Sequence, residues 1–191
     1  MHQRIRKLTY TGLLLALLIC LQWAGSQIPS PLVKQLITGT MVNCILAVTV
    51  LLVGRSSALA IALLSPVFAF LLGIAPQIIT VLPIMAGNTL YILILGFLLG
   101  TKPQPLWRSC LALGLAALAK FIALYLLVVV LICDLAAPSL LGQKVGDYVL
   151  LGPKMLLANA LPLMFSWPQL VTALSGGSLA LLIAPTMRKI P

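Results

Sequence analysis

The sequence contains very few acidic residues. Its 191 residues include two acids, Asp134 and Asp147, no glutamate, and a single histidine, His2. An acid pair of the aspartyl-protease kind needs two facing carboxylates, and both aspartates fall in one predicted connection. A histidine-based catalytic triad or metal site lacks the residues that it needs, because the single histidine, His2, lies in the N-terminal tail. We therefore predict that the chain is not an enzyme and has no catalytic residue and no metal site.

Other signatures of active chemistry are also missing. The sequence has no G-x-x-x-x-G-K-[ST] motif, so the chain cannot be its own ATPase. No acid falls inside an apolar run, which argues against proton or sodium coupling through an intramembrane carboxylate. No C-x-x-C or other metal-ligand spacing occurs, and we interpret the cysteines as apolar packing residues. They are Cys20, Cys44, Cys110 and Cys133.

Long apolar runs make up most of the chain. Hydrophobic residues account for 62% and charged residues for 7%, whereas about a quarter of the residues in a soluble domain are charged. A helix of about 20 apolar residues crosses the hydrocarbon core of a bilayer. We predict an all-α integral membrane protein in the lipid bilayer, a single domain over 1–191 built as a six-transmembrane-helix bundle. The spans are expected at 8–25, 36–53, 58–73, 78–99, 107–132 and 166–185.

The segment 152–165 is apolar but too short to span, and it contains Asn159 and Pro162. We interpret it as a half-helix or an interfacial segment leading into the last span. Broken helices at membrane depth are tolerated where the backbone is buried in protein or lines a cavity.

Basic residues are distributed unequally between the two sides of the predicted bundle. Six spans place both termini on one side, and cytoplasmic loops are enriched in Lys and Arg. The terminus side carries eight basic residues, Arg4, Arg6, Lys7, Arg55, Lys102, Arg108, Arg188 and Lys189. The other side carries three, Lys34, Lys144 and Lys154. We predict that both termini are cytoplasmic, and this orientation explains most of the net charge of +10 without a nucleic-acid partner.

The connections on the predicted outer side, 26–35 and 134–150, are longer and more polar than the inner ones. This difference suggests a site that opens to the outside and is covered by outer loops.

Lys120 lies near the centre of the apolar run Cys110–Ile132. An ammonium at mid-span costs about 3 kcal/mol on insertion scales, and snorkelling does not easily rescue it there. One interpretation is a structural lysine that is bonded to backbone carbonyls or packed against a tyrosine. The other is a cation for a ligand. Because no intramembrane acid is available, the most economical partner is an anionic group of a small molecule, such as a carboxylate.

Polar residues recur at helical spacing in the spans on either side of Lys120. Asn88 and Tyr91 in the fourth span, and Gln169 and Thr172 in the last, are each three residues apart and so share a helical face. Interhelical hydrogen bonding is the structural alternative for the polar side chains of these spans.

The first span carries a small-xxx-small motif, Gly12 to Ala16, which lets another helix approach closely. The motif serves either packing within this chain or docking of a separate subunit.

Together these features resemble the S-component, the substrate-binding subunit, of an energy-coupling factor (ECF) transporter. The resemblance rests on chain length, six spans, the small-xxx-small motif and the long outer connections after the first and fifth spans. The stretches RKLTYTGLLLALLICLQ (6–22) and SWPQLVTALSGGSLALLI (166–183) are also similar to that family.

The resemblance implies a bacterial plasma-membrane protein that captures a vitamin or similar micronutrient from outside. A membrane T-component and two ABC-type ATPases would supply the energy from ATP, and this chain would bind no cofactor itself. Gly12 and Ala16 would contact the T-component; the family usually has alanine at both positions, and glycine still permits close approach. The substrate site would be built from the outer halves of the last three spans. The matching residues are Asn88, Tyr91, Lys120, Gln169 and Thr172, with Asn159 and Trp167 as further candidates.

Two other function classes remain open. A secondary transporter or flippase would work without ATPases, but the lack of an intramembrane acid and of inverted repeats counts against it. A membrane enzyme would need a catalytic set, and we find none in the sequence. Co-purification with ATPase subunits distinguishes the first of these from an S-component, and turnover of a lipid or peptide identifies the second.

Overall fold

The computed structural model describes residues 2–75, 77–157 and 159–187. Arg188 and Lys189, which were counted for the orientation, and Pro76, where the third span was expected to end, lie outside these residues. The helices are α1 (His2–Ser26), α2 (Pro31–Leu52), α3 (Arg55–Leu71), α4 (Val81–Leu98), α5 (Leu106–Leu124), α6 (Ala137–Leu140), α7 (Pro153–Leu157), α8 (Ala160–Met164) and α9 (Trp167–Met187). A 3-10 turn, Ile78–Thr80, precedes α4, and a π-helical segment, Tyr125–Ala136, joins α5 to α6. The strands β1 (Lys144–Val145) and β2 (Tyr148–Val149) form a short antiparallel hairpin.

Five helical runs in the described residues are long and apolar enough to cross a membrane. They are Gln3–Ser26, Pro31–Leu52, Ile78–Leu98, Leu106–Leu140 and Ala160–Met187. The predicted all-helical membrane class is therefore confirmed. The third predicted span corresponds to α3, which is apolar but has only 17 residues.

The fifth predicted span, 107–132, is part of a longer helical run that continues to Leu140. No glycine or proline occurs between Ile132 and Pro138, so no helix breaker ends the run before α6 begins. Asp134 accordingly lies within this apolar helical run, contrary to the prediction that no acid does so. Its side chain is exposed, and the non-helical connection that follows is shorter than expected.

The segment 152–165 forms two short helices, α7 and α8, in place of one half-helix. Asn159 separates them with φ 51, a left-handed conformation that ends regular helix and that asparagine tolerates. Leu161 and Phe165 pack into a cluster of buried apolar residues with the π-helical segment. The segment is therefore held against the long helical run by apolar contacts.

The backbones of α2 and α9 approach each other closely at Gly176. A Cβ atom at this position would lie 2.7 Å from the Cys44 amide nitrogen and closer still to the Thr40 carbonyl oxygen. Only glycine fits without a shift of one helix. The contact brings the polar residues of α2 and α9 within hydrogen-bonding reach of each other.

One end of the bundle is where α1 and α3 end and α2, α4 and α9 begin. The hairpin lies at this end, because the Tyr148 ring packs on Phe70 near the end of α3, with 4.9 Å between ring centroids. We call this the hairpin end. The hairpin, the first residues of α2, α4 and α9 and the last residues of α1 and α3 therefore lie together at the hairpin end.

Candidate functional site

A cavity of about 130 Å³ opens between the helices at the hairpin end. Its wall combines apolar side chains with an unusual number of amides, and it contains two lysines. The polar and charged residues that line it are Gln22, Lys34, Gln35, Thr38, Asn43, Ser65, Asn88, Lys120 and Gln169. Polar groups that converge on a cavity with an otherwise apolar wall are typical of a small-molecule site.

Lys120 lies in the wall of this cavity and is only 3% exposed. Its ammonium donates to the Asn43 side-chain oxygen at 2.6 Å and to the Asn88 side-chain oxygen at 2.7 Å. An ammonium has three N–H donors and no acceptor, so both amides must turn their oxygens towards it. Two of the three donors are thus held by protein, and the direction of the side chain is fixed.

Asn43 connects Lys120 to α9. Its amide nitrogen donates to the Thr172 hydroxyl at 3.3 Å, and that hydroxyl donates to the Gln169 carbonyl oxygen at 3.2 Å. The Gln169 side chain donates in turn to the Met164 carbonyl oxygen at 3.0 Å. The chain of bonds links α5, α2, α9 and α8 around the cavity, and such buried networks hold their members rigidly when they are satisfied.

The aromatic ring of Tyr91 is a further neighbour of the Lys120 ammonium. Its hydroxyl donates to the Ala173 carbonyl oxygen at 3.2 Å, and its ring centroid lies 5.6 Å from the Lys120 Nζ. This distance is within the range of a cation–π contact. The ring stabilises the ammonium but carries no formal charge.

The positive charge of Lys120 has no negative partner among the described residues that line the cavity. Asparagine oxygens are neutral, and the lining residues include no aspartate or glutamate. The second lysine, Lys34, adds a further positive charge to the wall. Hydrogen bonding to Lys120 is therefore largely satisfied while its charge is not compensated, and a desolvated charge without a counterion is costly.

The structure brings together five of the seven residues expected from the sequence. Lys120, Asn88 and Gln169 line the cavity, and Thr172 and Tyr91 support it from behind through the contacts given above. Asn159 and Trp167 are exposed and do not line it. Asn159 instead precedes α8, and Trp167 begins α9.

Several polar residues of the wall were not predicted from the sequence. Asn43 had a detectable signal, because it is a mid-span asparagine like Asn88. Ser65 lies in the third span, whose buried face cannot be read from the sequence because that span is apolar nearly all round. Gln22 lies near the end of the first span and was not singled out. Lys34 was assigned to an outer connection, but α2 begins earlier, at Pro31, and carries it to the wall.

The Gly12–Ala16 motif lies on an uncovered face of α1. Both residues are exposed, and a Cβ atom at Gly12 would meet no atom within 4 Å. The motif therefore does not mediate packing within this chain.

Comparison with known families gave a single kind of match. The family model described as the substrate-specific component of ECF transporters matches residues 6–188, nearly the whole chain. No curated protein and no solved structure matches the chain.

Proposed function

The chain belongs to the family of ECF transporter substrate-specific components, and from this premise we propose that it captures a small carboxylate-bearing micronutrient for ATP-driven import. In this proposal α3 also crosses the membrane and, with the five longer runs, completes a bundle of six spans. Both termini are cytoplasmic, and the cavity faces outwards from a bacterial plasma membrane. The unequal distribution of basic residues supports this orientation. A T-component and two ABC-type ATPases supply the energy, and this chain performs no covalent chemistry.

The observation that carries the proposal is the uncompensated charge of Lys120. Its side chain is held by Asn43 and Asn88 in the wall of a cavity, and one of its N–H donors is left without a partner in the bonds described. A ligand carboxylate would supply the missing negative charge and accept the remaining hydrogen bond. Charge-assisted bonds of this kind are among the strongest available in a desolvated site.

Binding would also favour one arrangement of the hairpin end. The hairpin contacts α3 next to the cavity wall, where Ala69 and Ala75 line it. A ligand that contacts both this wall and Lys120 would favour an arrangement in which the hairpin closes over the cavity, because it would bind that arrangement more tightly than an open one. Delivery then depends on the partner subunits.

Native mass spectrometry of the gently purified protein tests the proposed ligand class. We expect a co-purified small molecule that carries a carboxylate. Titration of that molecule, followed by tryptophan fluorescence, should show at least a tenfold weaker affinity for Lys120→Met, a loss of about 1.4 kcal/mol. Lys102→Met is the matched control, because Lys102 is exposed, does not line the cavity and lies between the end of α4 and the start of α5, at the end of the bundle opposite the hairpin. Normal binding by folded Lys120→Met protein would refute the anion site.

The exposed motif on α1 provides a separate test of the proposed partner. Gly12→Trp should prevent co-purification with a co-expressed T-component and leave ligand binding intact, because an indole there fills the space that a close helix contact needs. Gly114→Trp is the control, since Gly114 on α5 also has no atom within 4 Å of its Cβ position. If the Gly12 variant assembles as well as the control, the motif is not the docking surface.

A further inference from the structure

We infer that the cavity has a second, uncharged subsite, formed by Gln22 of α1 and Ser65 of α3, which binds a hydrogen-bond donor of the ligand. The inference rests on the proposed function of the cavity and specifies its ligand further. The ligand is then a small carboxylate that also carries a neutral N–H or O–H group.

The first subsite is the anion site at Lys120. There the Asn88 amide nitrogen is buried and has no hydrogen-bond partner among the described residues. Because the Asn88 oxygen accepts from the ammonium, this nitrogen can only be a donor. The lysine and Asn88 therefore present donors side by side, which suits an acceptor with negative charge such as a carboxylate.

The second subsite differs in hydrogen-bonding character. Gln22 is 7% exposed and Ser65 is fully buried, and both line the same cavity. The Gln22 side-chain oxygen and the Ser65 hydroxyl have no partner among the described residues. The Thr38 hydroxyl, which also belongs to a lining residue, is a third such atom. A buried polar atom without a partner costs free energy, so a ligand that pairs with atoms of this wall recovers that cost.

The Gln22 oxygen decides which group the ligand must offer. It can only accept, whereas the Ser65 hydroxyl can donate or accept. A ligand that presents only acceptors to this wall would leave the Gln22 oxygen unpaired. An N–H or O–H group of the ligand pairs with the Gln22 oxygen, and the Ser65 hydroxyl can pair with either a donor or an acceptor of the ligand. The group at the Gln22 oxygen must be neutral, because the wall already contains Lys34 and Lys120 and no acid among its described residues.

The size of the cavity limits the ligand further. Its volume of about 130 Å³ is well below the roughly 300–1,000 Å³ of pockets for drug-sized molecules. A single five-membered ring with one substituent is small enough for this volume and can carry both a carboxylate and an N–H group.

Four such probes separate the two subsites. Pyrrole-2-carboxylate carries the anion and a ring N–H, furan-2-carboxylate carries the anion alone, and 2-acetylpyrrole and 2-acetylfuran are their uncharged counterparts. Affinities are measured by equilibrium dialysis with the full chain in lipid nanodiscs. We expect pyrrole-2-carboxylate to bind about three- to tenfold more tightly than furan-2-carboxylate, as the loss of one hydrogen bond to a buried group implies.

Variants then assign the preference to residues. In Gln22→Met the ratio between the two acids should fall to about one, while both acids still bind more tightly than the acetyl compounds. Ser65→Ala is the second variant, and thermal unfolding shows whether each is folded. Thr49→Val is the control, because Thr49 is buried, bonds to the Ile45 carbonyl oxygen and does not line the cavity.

The outcomes distinguish the inference from the proposed function. Equal affinity of wild-type protein for the two acids, or an unchanged ratio in both folded variants, overturns the second subsite alone. Equal affinity for acids and acetyl compounds overturns the anion site as well. Failure of all four probes to bind overturns the inference, and the proposed function is then judged by the molecule that co-purifies.

Discussion

Replacing Asn43 by leucine tests how the buried ammonium is held. Asn43 contributes a charge-assisted hydrogen bond from Lys120 at 2.6 Å and a neutral one to Thr172 at 3.3 Å. Leucine is similar in size but offers neither. Bonds to charged groups contribute about 1.5–3 kcal/mol and neutral interhelical bonds in membranes about 0.6 kcal/mol. We therefore expect Asn43→Leu to lower the free energy of unfolding by about 2–4 kcal/mol.

A double-mutant cycle with Lys120→Met separates the charged bond from general packing. Once the ammonium is absent, the loss of its acceptor at Asn43 no longer leaves a charge poorly solvated. The double variant should therefore be more stable than the two single effects predict, with a coupling of about 1–3 kcal/mol. Reversible unfolding of the purified protein in mixed detergent micelles, followed by tryptophan fluorescence, gives the four free energies.

Strict additivity of the two substitutions would refute the reasoning. It would mean that the hydrogen bond from Lys120 to Asn43 does not stabilise the fold, and that other groups solvate the ammonium. Thr49→Val, on the same helix as Asn43, controls for the loss of a buried polar group of α2, because the Thr49 bond is local to that helix. It should show no coupling to Lys120→Met.

Two further predictions concern packing and orientation. Gly176→Ala should destabilise the protein by about 1–3 kcal/mol, because the added methyl group meets the backbone of α2. The same unfolding assay measures this change. Gly114→Ala is the control and should not destabilise the protein, because its added methyl group meets no atom within 4 Å. In a cysteine-free background on intact cells, a membrane-impermeant maleimide should label Lys144→Cys in the hairpin and spare Lys102→Cys. Labelling of Lys102→Cys alone would reverse the proposed orientation.

The helices could be predicted from the sequence because apolar runs are separated by glycine, proline and polar residues. Their ends were less accurate. The fifth helix was expected to end at Ile132, because Asp134 follows two residues later. A single exposed aspartate does not stop a helix, and the run continues to Leu140. The left-handed Asn159, which divides 152–165 into two helices, depends on local backbone geometry that composition does not show.

The site was partly predictable for a related reason. A polar side chain in an apolar span is conspicuous, so Lys120, Asn88 and Gln169 could be identified from the sequence and line the cavity in the structure. Asn43 was equally conspicuous, but its span is apolar nearly all round, and the face that meets α9 is set by the close approach at Gly176. A partner on a distant helix is a property of packing, and spacing along one helix cannot reveal it.

The structure also relates the two interpretations of Lys120 to each other. A lysine bonded to protein groups was set against a lysine that binds an anion, yet the protein groups that hold it are two neutral amides and an aromatic ring. These contacts satisfy donors without compensating charge. Replacing a buried ion by a well-packed apolar residue is often neutral or stabilising, so stability alone is a weak reason for an ammonium here. Amides that fix its direction beside a cavity would preorganise it for the proposed anion, and preorganisation lowers the entropic cost of binding. The structural contacts of Lys120 are therefore the condition for its proposed role in binding.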